Sequence, residues 1–252
     1  MRSLLIVFLS LLALPAIAEP ISVRADIWCP YNCAAADKKT GYGIEVLKTI
    51  FESAGHTVDY QNLNWAESIE RTRKNEFVAI IGAAKNDAPD FVFPAEPIGL
   101  SSISYATMKD KNISISSVAD LQDMKLGVIE AYSYNTSIDN YIAKHSANLK
   151  RISFSSGDDA LDKNIQDLLA YKLDVICEDT NVLYYRVNKA GIAKKLQISR
   201  DPDKLSEIFV AFSPTNPKAK EYAALIDKRI ADLRSSGKLK SILQKYGLSD
   251  WK

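Results

Sequence analysis

The three cysteines and two histidines of the 252-residue chain are its candidates for redox, nucleophilic or metal chemistry. Cys29 and Cys33 are separated by three residues, whereas redox motifs usually place two residues between their cysteines. His56 and His145 stand alone in the sequence, so neither completes a set of soft metal ligands or a nucleophile–base pair. Cys177 lies in an apolar run, which is typical of a buried and unreactive thiol. The sequence therefore predicts no catalytic centre, no metal site and no cofactor.

The first eighteen residues have the pattern of a cleaved export signal. Arg2 precedes an apolar run over residues 4–14, and the small-x-small sequence Ala16-Ile17-Ala18 follows. The run of about eleven residues is far shorter than the ~20 that span a bilayer. The alternative is a buried N-terminal helix. It is disfavoured because the segment is apolar all round and ends in a processing signal. We expect cleavage after Ala18, export to the periplasm and a mature chain from residue 19.

Export to an oxidising compartment changes the interpretation of the first two cysteines. Pro30 can start a turn that brings the Cα atoms of Cys29 and Cys33 within bonding distance. The sequence therefore predicts a Cys29–Cys33 disulfide. Because the closed loop is so short, the bond removes little chain entropy and mainly fixes the shape of residues 28–32.

Composition bounds the class of partner and the number of domains. The 32 basic and 31 acidic residues nearly cancel, which excludes a polybasic nucleic-acid binder. With 47% hydrophobic and 25% charged residues the chain is an ordinary globular protein. Its length allows one large domain or two of modest size.

Hydrophobic periodicity predicts two successive βαβαβ units followed by a helical tail. In the first unit, Ile44, Leu47 and Phe51 form one apolar face of a predicted helix over residues 42–54. Such units indicate parallel sheets covered by helices. In the tail, Asn216 is the predicted N-cap of a helix with Pro217 at its first position. The predicted strands cover residues 21–28, 58–63, 77–81, 105–109, 125–130, 151–154, 173–177 and 208–212.

Several short motifs occur in a fixed order between about residues 21 and 248. Together they make the chain resemble the family 3 periplasmic solute-binding proteins, typified by receptors for polar amino-acid uptake. The motifs are Trp28-x-Pro30-Tyr31, Gly41-Tyr-Gly43-Ile-Glu45-Val-Leu47, Trp65, Val118-Ala-Asp120-Leu121, Lys125-Leu-Gly127-Val128, Leu173-Asp174-Val-Ile-Cys-Glu178-Asp179 and Arg234-x-x-Gly237-Lys-Leu-Lys240-x-Ile242-x-x-Lys245-Tyr246.

The resemblance implies an α/β, two-lobe, periplasmic-binding-protein-like (type II) clamshell. Lobe 1 is then built from residues 19–106 plus 208–252, and lobe 2 from residues 107–207. A hinge of two crossing strands, at residues 105–108 and 209–212, connects the lobes. In such a fold the ligand lies between the lobes, beyond the carboxyl ends of the strands, and closure buries it.

The resemblance also implies which aromatic and polar residues face the ligand. Trp28 and Tyr31 supply an aromatic wall, with core packing as the alternative for both. Trp65, which precedes the second helix, is a further ligand-binding candidate. The connection over residues 132–136 offers backbone amides and hydroxyls to an anionic or polar ligand group. Its ligand-binding candidates are Tyr132, Ser133 and Tyr134, and a plain helix N-cap by Ser133 or Asn135 is the alternative.

The chain departs from the family pattern mainly in its charged residues. Asp179 occupies the position where the family commonly binds a ligand ammonium, with N-capping of a helix over 181–187 as its alternative; Glu178 is a nearby substitute. Amino-acid receptors of the family usually carry Thr-x-x-Arg after the third strand, but residues 82–90 contain no arginine. Lys85 can act there as a point charge, not as a planar fork. This pattern favours a cationic amine, if carboxylates such as Asp87 reach the cleft instead of remaining solvated.

We therefore expect a non-catalytic, monomeric periplasmic protein that captures a small polar solute, amino-acid-like or amine. It would deliver this solute to the permease of an ABC transporter or present it to a membrane sensor ectodomain, with no nucleic-acid partner. The alternative is an exported enzyme of the dehydratase or lyase type on the same scaffold.

Overall fold

A computed structural model describes residues 20–157, 159–201 and 205–252. The predicted export signal at residues 1–18 lies outside these ranges. Within them the elements are, in chain order, β1 (Ile21–Ala25), α1 (Tyr42–Ser53), β2 (Val58–Asn62), α2 (Trp65–Arg73), β3 (Ala79–Ala83), β4 (Gly99–Ser101), β5 (Ile103–Met108), β6 (Leu126–Ile129), α3 (Thr136–His145), β7 (Ile152–Ser155), α4 (Ala160–Leu169), β8 (Val175–Asp179), α5 (Thr180–Lys189), β9 (Leu196–Arg200), β10 (Ser206–Phe212), α6 (Ala219–Ser235) and α7 (Lys238–Gln244).

These strands form two five-stranded sheets with the same internal plan. Sheet 1 has the order β2-β1-β3-β10-β4, and sheet 2 has the order β7-β6-β8-β5-β9. In sheet 1 the pairs of β1 with β2 and β3 are parallel, and β10 is antiparallel to β3 and β4. In sheet 2 the pairs of β6 with β7 and β8 are parallel, and β5 is antiparallel to β8 and β9. The two predicted α/β units are therefore confirmed.

Helix α1 packs its predicted apolar face against sheet 1. Ile44, Leu47 and Phe51 are almost fully buried in one core with Val210 of β10 and Ile226 of α6. Each of these large apolar side chains contributes about 1.5–3 kcal/mol on burial. Since α6 belongs to the same core, the helical tail packs back onto sheet 1.

The start of the tail helix differs from the prediction. Helix α6 begins at Ala219 with Lys218 as its N-cap residue, so the prediction of Asn216 as N-cap and Pro217 as first helical residue is wrong. The side chain of Asn216 instead accepts from the backbone amide of Lys218 at 2.9 Å and donates to Asn75 Oδ1 at 3.1 Å. Asn216 thus stabilises the turn before the helix.

The chain passes from sheet 1 to sheet 2 at Ser102. The short strand β4 pairs with β10 in sheet 1, whereas β5 pairs along its length with β8 and β9 in sheet 2. Residues 103–106, which the prediction assigns to lobe 1, therefore pair in sheet 2. The predicted hinge strands 105–108 and 209–212 each lie inside a single sheet. The chain returns to sheet 1 between Arg200 and Ser206.

Candidate functional site

A small cavity of about 40 Å³ lies between the two sheets, beyond the carboxyl ends of β1, β3, β6 and β8. We call it the inter-sheet cavity. Aromatic side chains on its walls are Trp28, Trp65, Tyr132 and Tyr134. Carboxylates that line it are Asp26, Asp87, Glu178 and Asp179. Ends of parallel strands are the usual place for a ligand in open α/β sheets.

The inter-sheet cavity brings together most of the residues predicted to bind a ligand. Its described lining includes no lysine, arginine or histidine. The ammonium group of Lys85 lies 4.7 Å from the centre of the Phe209 ring, and Lys85 lines a separate cavity next to it. Tyr31 is absent from the lining. The predicted residues that do line the inter-sheet cavity are Trp28, Trp65, Tyr132, Ser133, Tyr134 and Asp179.

The Cys29–Cys33 disulfide, confirmed by the structure, closes the loop that carries Trp28. Strand β1 ends at Ala25, earlier than predicted, because the chain turns: the Trp28 amide donates to Asn32 O at 2.7 Å and the Asn32 amide donates to Trp28 O at 3.1 Å. The Trp28 ring stacks on the Tyr31 ring with centres 4.3 Å apart. Trp28 lines the inter-sheet cavity, and Tyr31 lies behind Trp28, away from the cavity.

Tyr31 braces the cavity from behind. The ring is fully buried, and the hydroxyl lies 3.0 Å from Leu100 O and 3.1 Å from Asp179 Oδ2. Asn181 Nδ2 donates to the same hydroxyl at 3.0 Å. Burial and the nearby Asp179 charge raise the pKa of Tyr31 well above its ordinary value. Tyr31 therefore links β4 of sheet 1 to the end of β8 in sheet 2.

Asp179 has both carboxylate oxygens engaged by the protein. Its Oδ1 accepts from the Val182 amide at 3.0 Å, so Asp179 is the N-cap of α5. Its Oδ2 accepts from the Ser102 amide at 3.2 Å and faces the Tyr31 hydroxyl. Burial raises the pKa of Asp179, and these hydrogen bonds oppose the change. The sequence leaves two roles open for Asp179, ammonium binding and helix N-capping. The structure contains the N-cap.

Glu178 is the neighbouring carboxylate and is only 1% exposed. Its Oε1 accepts from Trp28 Nε1 at 2.9 Å and from the Asp179 amide at 2.7 Å. The pKa of Glu178 is raised to about 8, mainly by burial and also by the charges of Asp179 and Asp26, while the hydrogen bonds from Trp28 and the Asp179 amide oppose the change. The sequence named Glu178 only as a substitute for Asp179, because alternation along the strand does not reveal which of two adjacent acids has a free oxygen.

The connection after β6 already holds carboxylates of the protein. Asp87 Oδ1 accepts from the Ser133 amide at 3.0 Å, and Asp139 Oδ1 accepts from the Tyr134 amide at 2.9 Å. Burial raises the pKa of Asp87 to about 7. Asn135 caps α3 by accepting from the Ile138 amide at 2.9 Å, which is one of the predicted alternatives. These amides are therefore occupied by side chains of the protein.

Aromatic residues from both sheets close the cavity. The Tyr132 hydroxyl donates to Asp26 Oδ2, and the Tyr132 ring meets the Trp65 ring edge-on with centres 6.2 Å apart.

At Gly82, φ is +89°, and an added Cβ would lie 2.9 Å from Asn32 Oδ1. A side chain at this position would be strained and would crowd the cavity.

Comparison with known proteins decides the family. Residues 21–249 match the model of the bacterial extracellular solute-binding proteins, family 3. The chain belongs to this family. This family 3 protein is therefore a solute-binding protein and not an enzyme, as the ordered motifs predicted, and its family is extracellular. None of the curated proteins compared with the chain matches it significantly.

Solved structures share the fold of this family 3 protein at low sequence identity. One, described for glutathione import through GshT and the cystine ABC importer TcyBC of Streptococcus mutans, has 19% identity and a TM-score of 0.75, covering 91% of this chain and 95% of that one. A histidine kinase sensor domain has 18% identity and a TM-score of 0.76, covering 92% and 99%. An ABC transporter substrate-binding protein from Streptococcus pneumoniae with bound histidine has 18% identity and a TM-score of 0.75, covering 90% and 92%.

Two further findings concern the residues that the structure describes. None of their helices has the length and apolar composition needed to cross a membrane. Among the same residues, no group of three His, Cys, Asp or Glu side chains is arranged to hold a metal ion.

Proposed function

We propose that this family 3 protein binds a small cationic amine in the inter-sheet cavity and does not require a carboxylate on the ligand. One observation carries the proposal: four carboxylates line the cavity, and no basic side chain does so among the described residues. Buried carboxylates are costly when ionised without a positive partner. A bound ammonium supplies that partner, so its binding is favoured where an anion is repelled.

The contact between Asp87 and Ser133 supports a ligand that lacks a carboxylate. Asp87 Oδ1 accepts from the Ser133 amide, one of the amides that an anionic ligand group would need. A ligand carboxylate would compete with Asp87 for this donor and would approach the other acids of the cavity. At ~4 Å, two like charges repel by about 4 kcal/mol near a protein surface.

The aromatic walls support a cation with an alkyl body. Trp28, Trp65 and Tyr132 present rings to the inter-sheet cavity. Ring faces attract cations by about 0.5–1 kcal/mol at exposed sites and by about 2 kcal/mol or more when the site is dry, and they also pack against methylene groups. The cavity thus combines negative charge with apolar surface, which suits a short aliphatic amine.

Three contacts between the sheets support ligand capture by closure. Trp28 Nε1 donates to Glu178, the Tyr132 hydroxyl donates to Asp26, and the Ser133 amide donates to Asp87. In our proposal the two sheets with their helices are the two lobes, and these contacts break when the cleft opens to admit the amine. Closure then excludes water and strengthens the ammonium–carboxylate attraction.

The proposed setting follows from the export signal and the fold relatives. We infer that the mature chain is a periplasmic monomer, released by cleavage after Ala18. Structural relatives include ABC importer binding proteins and a histidine kinase sensor domain. Its partner is accordingly the permease of an ABC importer or the ectodomain of a membrane sensor, and no nucleic acid is involved.

Matched pairs of amines and amino acids test the proposal. The pairs are cadaverine with L-lysine, putrescine with L-ornithine, and agmatine with L-arginine, which differ only in the α-carboxylate. We expect at least one amine to raise the melting temperature and to bind about tenfold or more tightly than its amino acid in calorimetry, a difference of ~1.4 kcal/mol. Tighter binding of the amino acid in every pair, or no binding by any amine, would contradict the proposal.

A further inference from the structure

Two buried oxygens at the inter-sheet cavity have no hydrogen-bond partner within the described structure. They are Glu178 Oε2 and Asn32 Oδ1, and each residue is 1% exposed. Both residues line the cavity. A buried acceptor without a donor costs about 1–3 kcal/mol, and more when it is charged. Such a cost is removed when a ligand supplies the missing N–H groups.

The other polar atoms of both side chains are fixed by the protein. Glu178 Oε1 accepts from Trp28 Nε1 at 2.9 Å, which leaves Oε2 as the free oxygen. Asn32 Nδ2 donates to Asp26 O at 2.9 Å, which assigns the free position to Oδ1. Asn32 is held in turn by the Cys29–Cys33 disulfide loop. The two acceptors therefore have set orientations before a ligand arrives.

We propose that Glu178 Oε2 and Asn32 Oδ1 accept N–H hydrogen bonds from the ammonium of the ligand, so that the cavity selects ammonium groups with N–H donors over quaternary ammonium. This inference rests on the proposed function, whose site it specifies. Asp179 cannot serve equally, because its two oxygens already accept from Val182, Ser102 and Tyr31. A quaternary ammonium would bring charge to the aromatic walls but would leave both oxygens unpaired.

The inter-sheet cavity presents acidic groups to Glu178. Those that interact with it electrostatically include Asp26, Asp179, Tyr31, Tyr132, Tyr134 and Cys177. Arg186 lines a neighbouring cavity that Glu178 also lines, and its guanidinium is paired with Asp162. Burial raises the pKa of Glu178 to about 8, so the empty closed site keeps a proton on this carboxyl at neutral pH. An ammonium favours the carboxylate form. The Glu178 proton is then released to solvent on binding, and affinity rises with pH up to about 8.

Calorimetry with two pairs of cations tests the inference on the unmodified protein. Ethanolamine is compared with choline, and cadaverine with pentamethonium, its fully methylated counterpart. In each pair charge is the same and the N–H donors are lost. We expect the N–H-bearing member to bind about tenfold or more tightly. Titrations in buffers of different ionisation enthalpy are expected to show proton release at pH values below about 8.

Substitutions assign the effect to Glu178. Glu178→Gln is expected to weaken binding of cadaverine about tenfold or more and to reduce the proton release to the part that comes from Asp87, whose pKa is also raised. Glu52→Gln makes the same change at an exposed position of α1 and is expected to alter neither. Equal affinity for both members of each pair, or wild-type proton release in Glu178→Gln, would overturn the inference while leaving the proposed function intact. If none of these cations nor any amine of the matched pairs binds, both the inference and the proposed function are wrong.

Discussion

Asp87 joins the two sheets through the backbone amide of Ser133, which donates to Asp87 Oδ1 at 3.0 Å. The other oxygen of the carboxylate accepts from the Ala84 amide at 2.7 Å, within the connection that follows β3. One side chain thus ties the end of a strand in sheet 1 to the end of a strand in sheet 2. An internal carboxylate thus occupies one of the amides that the sequence predicts for an anionic part of the ligand.

Removal of this carboxylate should change which ligands are accepted. In Asp87→Ala the Ser133 amide is free and one negative charge is gone from the cavity. We expect the preference for cadaverine over L-lysine to fall about tenfold, because the amine loses attraction and the amino acid loses repulsion. Calorimetry with both ligands measures the ratio. Asp90→Ala, in the same connection but paired with Arg73 at the surface, is the control and should keep the ratio. An unchanged ratio in Asp87→Ala would contradict this role.

Much of the fold could be predicted because its periodicities are strong. The apolar face of α1 and the buried strand β8 lie close to their predicted positions. The short strands β4 and β9 were missed, since three to five residues at a sheet edge carry little hydrophobic pattern. The passage of the chain from sheet 1 to sheet 2 at Ser102 is visible only from the strand pairing.

The site was less predictable because it depends on hydrogen bonds between distant segments. Trp28 and Tyr31 have the same sequence signal, yet stacking puts only Trp28 at the cavity. Glu178 and Asp179 are adjacent acids, and the partners of each decide which oxygen is free. Asn32 carried no signal of its own, although its place inside the disulfide loop marks it as a residue of fixed orientation.

The raised pKa values predict how pH affects closure without ligand. The pKa is about 8 for Glu178 and about 7 for Asp87, both raised by burial. Each group binds more protons in the closed form than when hydrated, so stability of the closed form decreases as pH rises from about 4 to about 8 and then levels off. A pKa difference of about three between the closed and the hydrated form corresponds to roughly 4 kcal/mol for each group. Opening of the cleft hydrates the carboxylates and so limits this cost.

Small-angle scattering of the unliganded protein checks this dependence. The radius of gyration should increase between about pH 5 and about pH 8.5, as the cleft opens and hydrates the carboxylates. Glu178→Gln removes one of the titrating groups and should reduce the change. A radius that is constant, or that decreases with pH in the wild-type protein, would show that these groups do not control closure.

Asp179 should matter more for stability than for ligand contact. Asp179→Ala removes the N-cap of α5 and the acceptor of the Ser102 amide. The lost cap costs about 1 kcal/mol, and the unpaired amide about 1–3 kcal/mol more. Urea unfolding should therefore show a larger loss than for Asn135→Ala, which removes only the cap of α3. The affinity for the amine should fall less in Asp179→Ala than in Glu178→Gln. A greater fall in Asp179→Ala would indicate that Asp179, and not Glu178, contacts the ammonium directly.

The disulfide loop should act on affinity and little on folding. Replacing Cys29 and Cys33 by serine opens a loop of a few residues, whose closure contributes little chain entropy, so both sheets should fold with an unchanged far-ultraviolet spectrum. Trp28 and Asn32 lose their fixed orientation, and affinity for cadaverine should fall about tenfold because ordering them then opposes binding. Reducing agent should reproduce the loss in the wild-type protein and have no effect on the double variant. Free thiols at both positions in protein taken from the periplasm would refute the bridge, and unchanged affinity would refute its role.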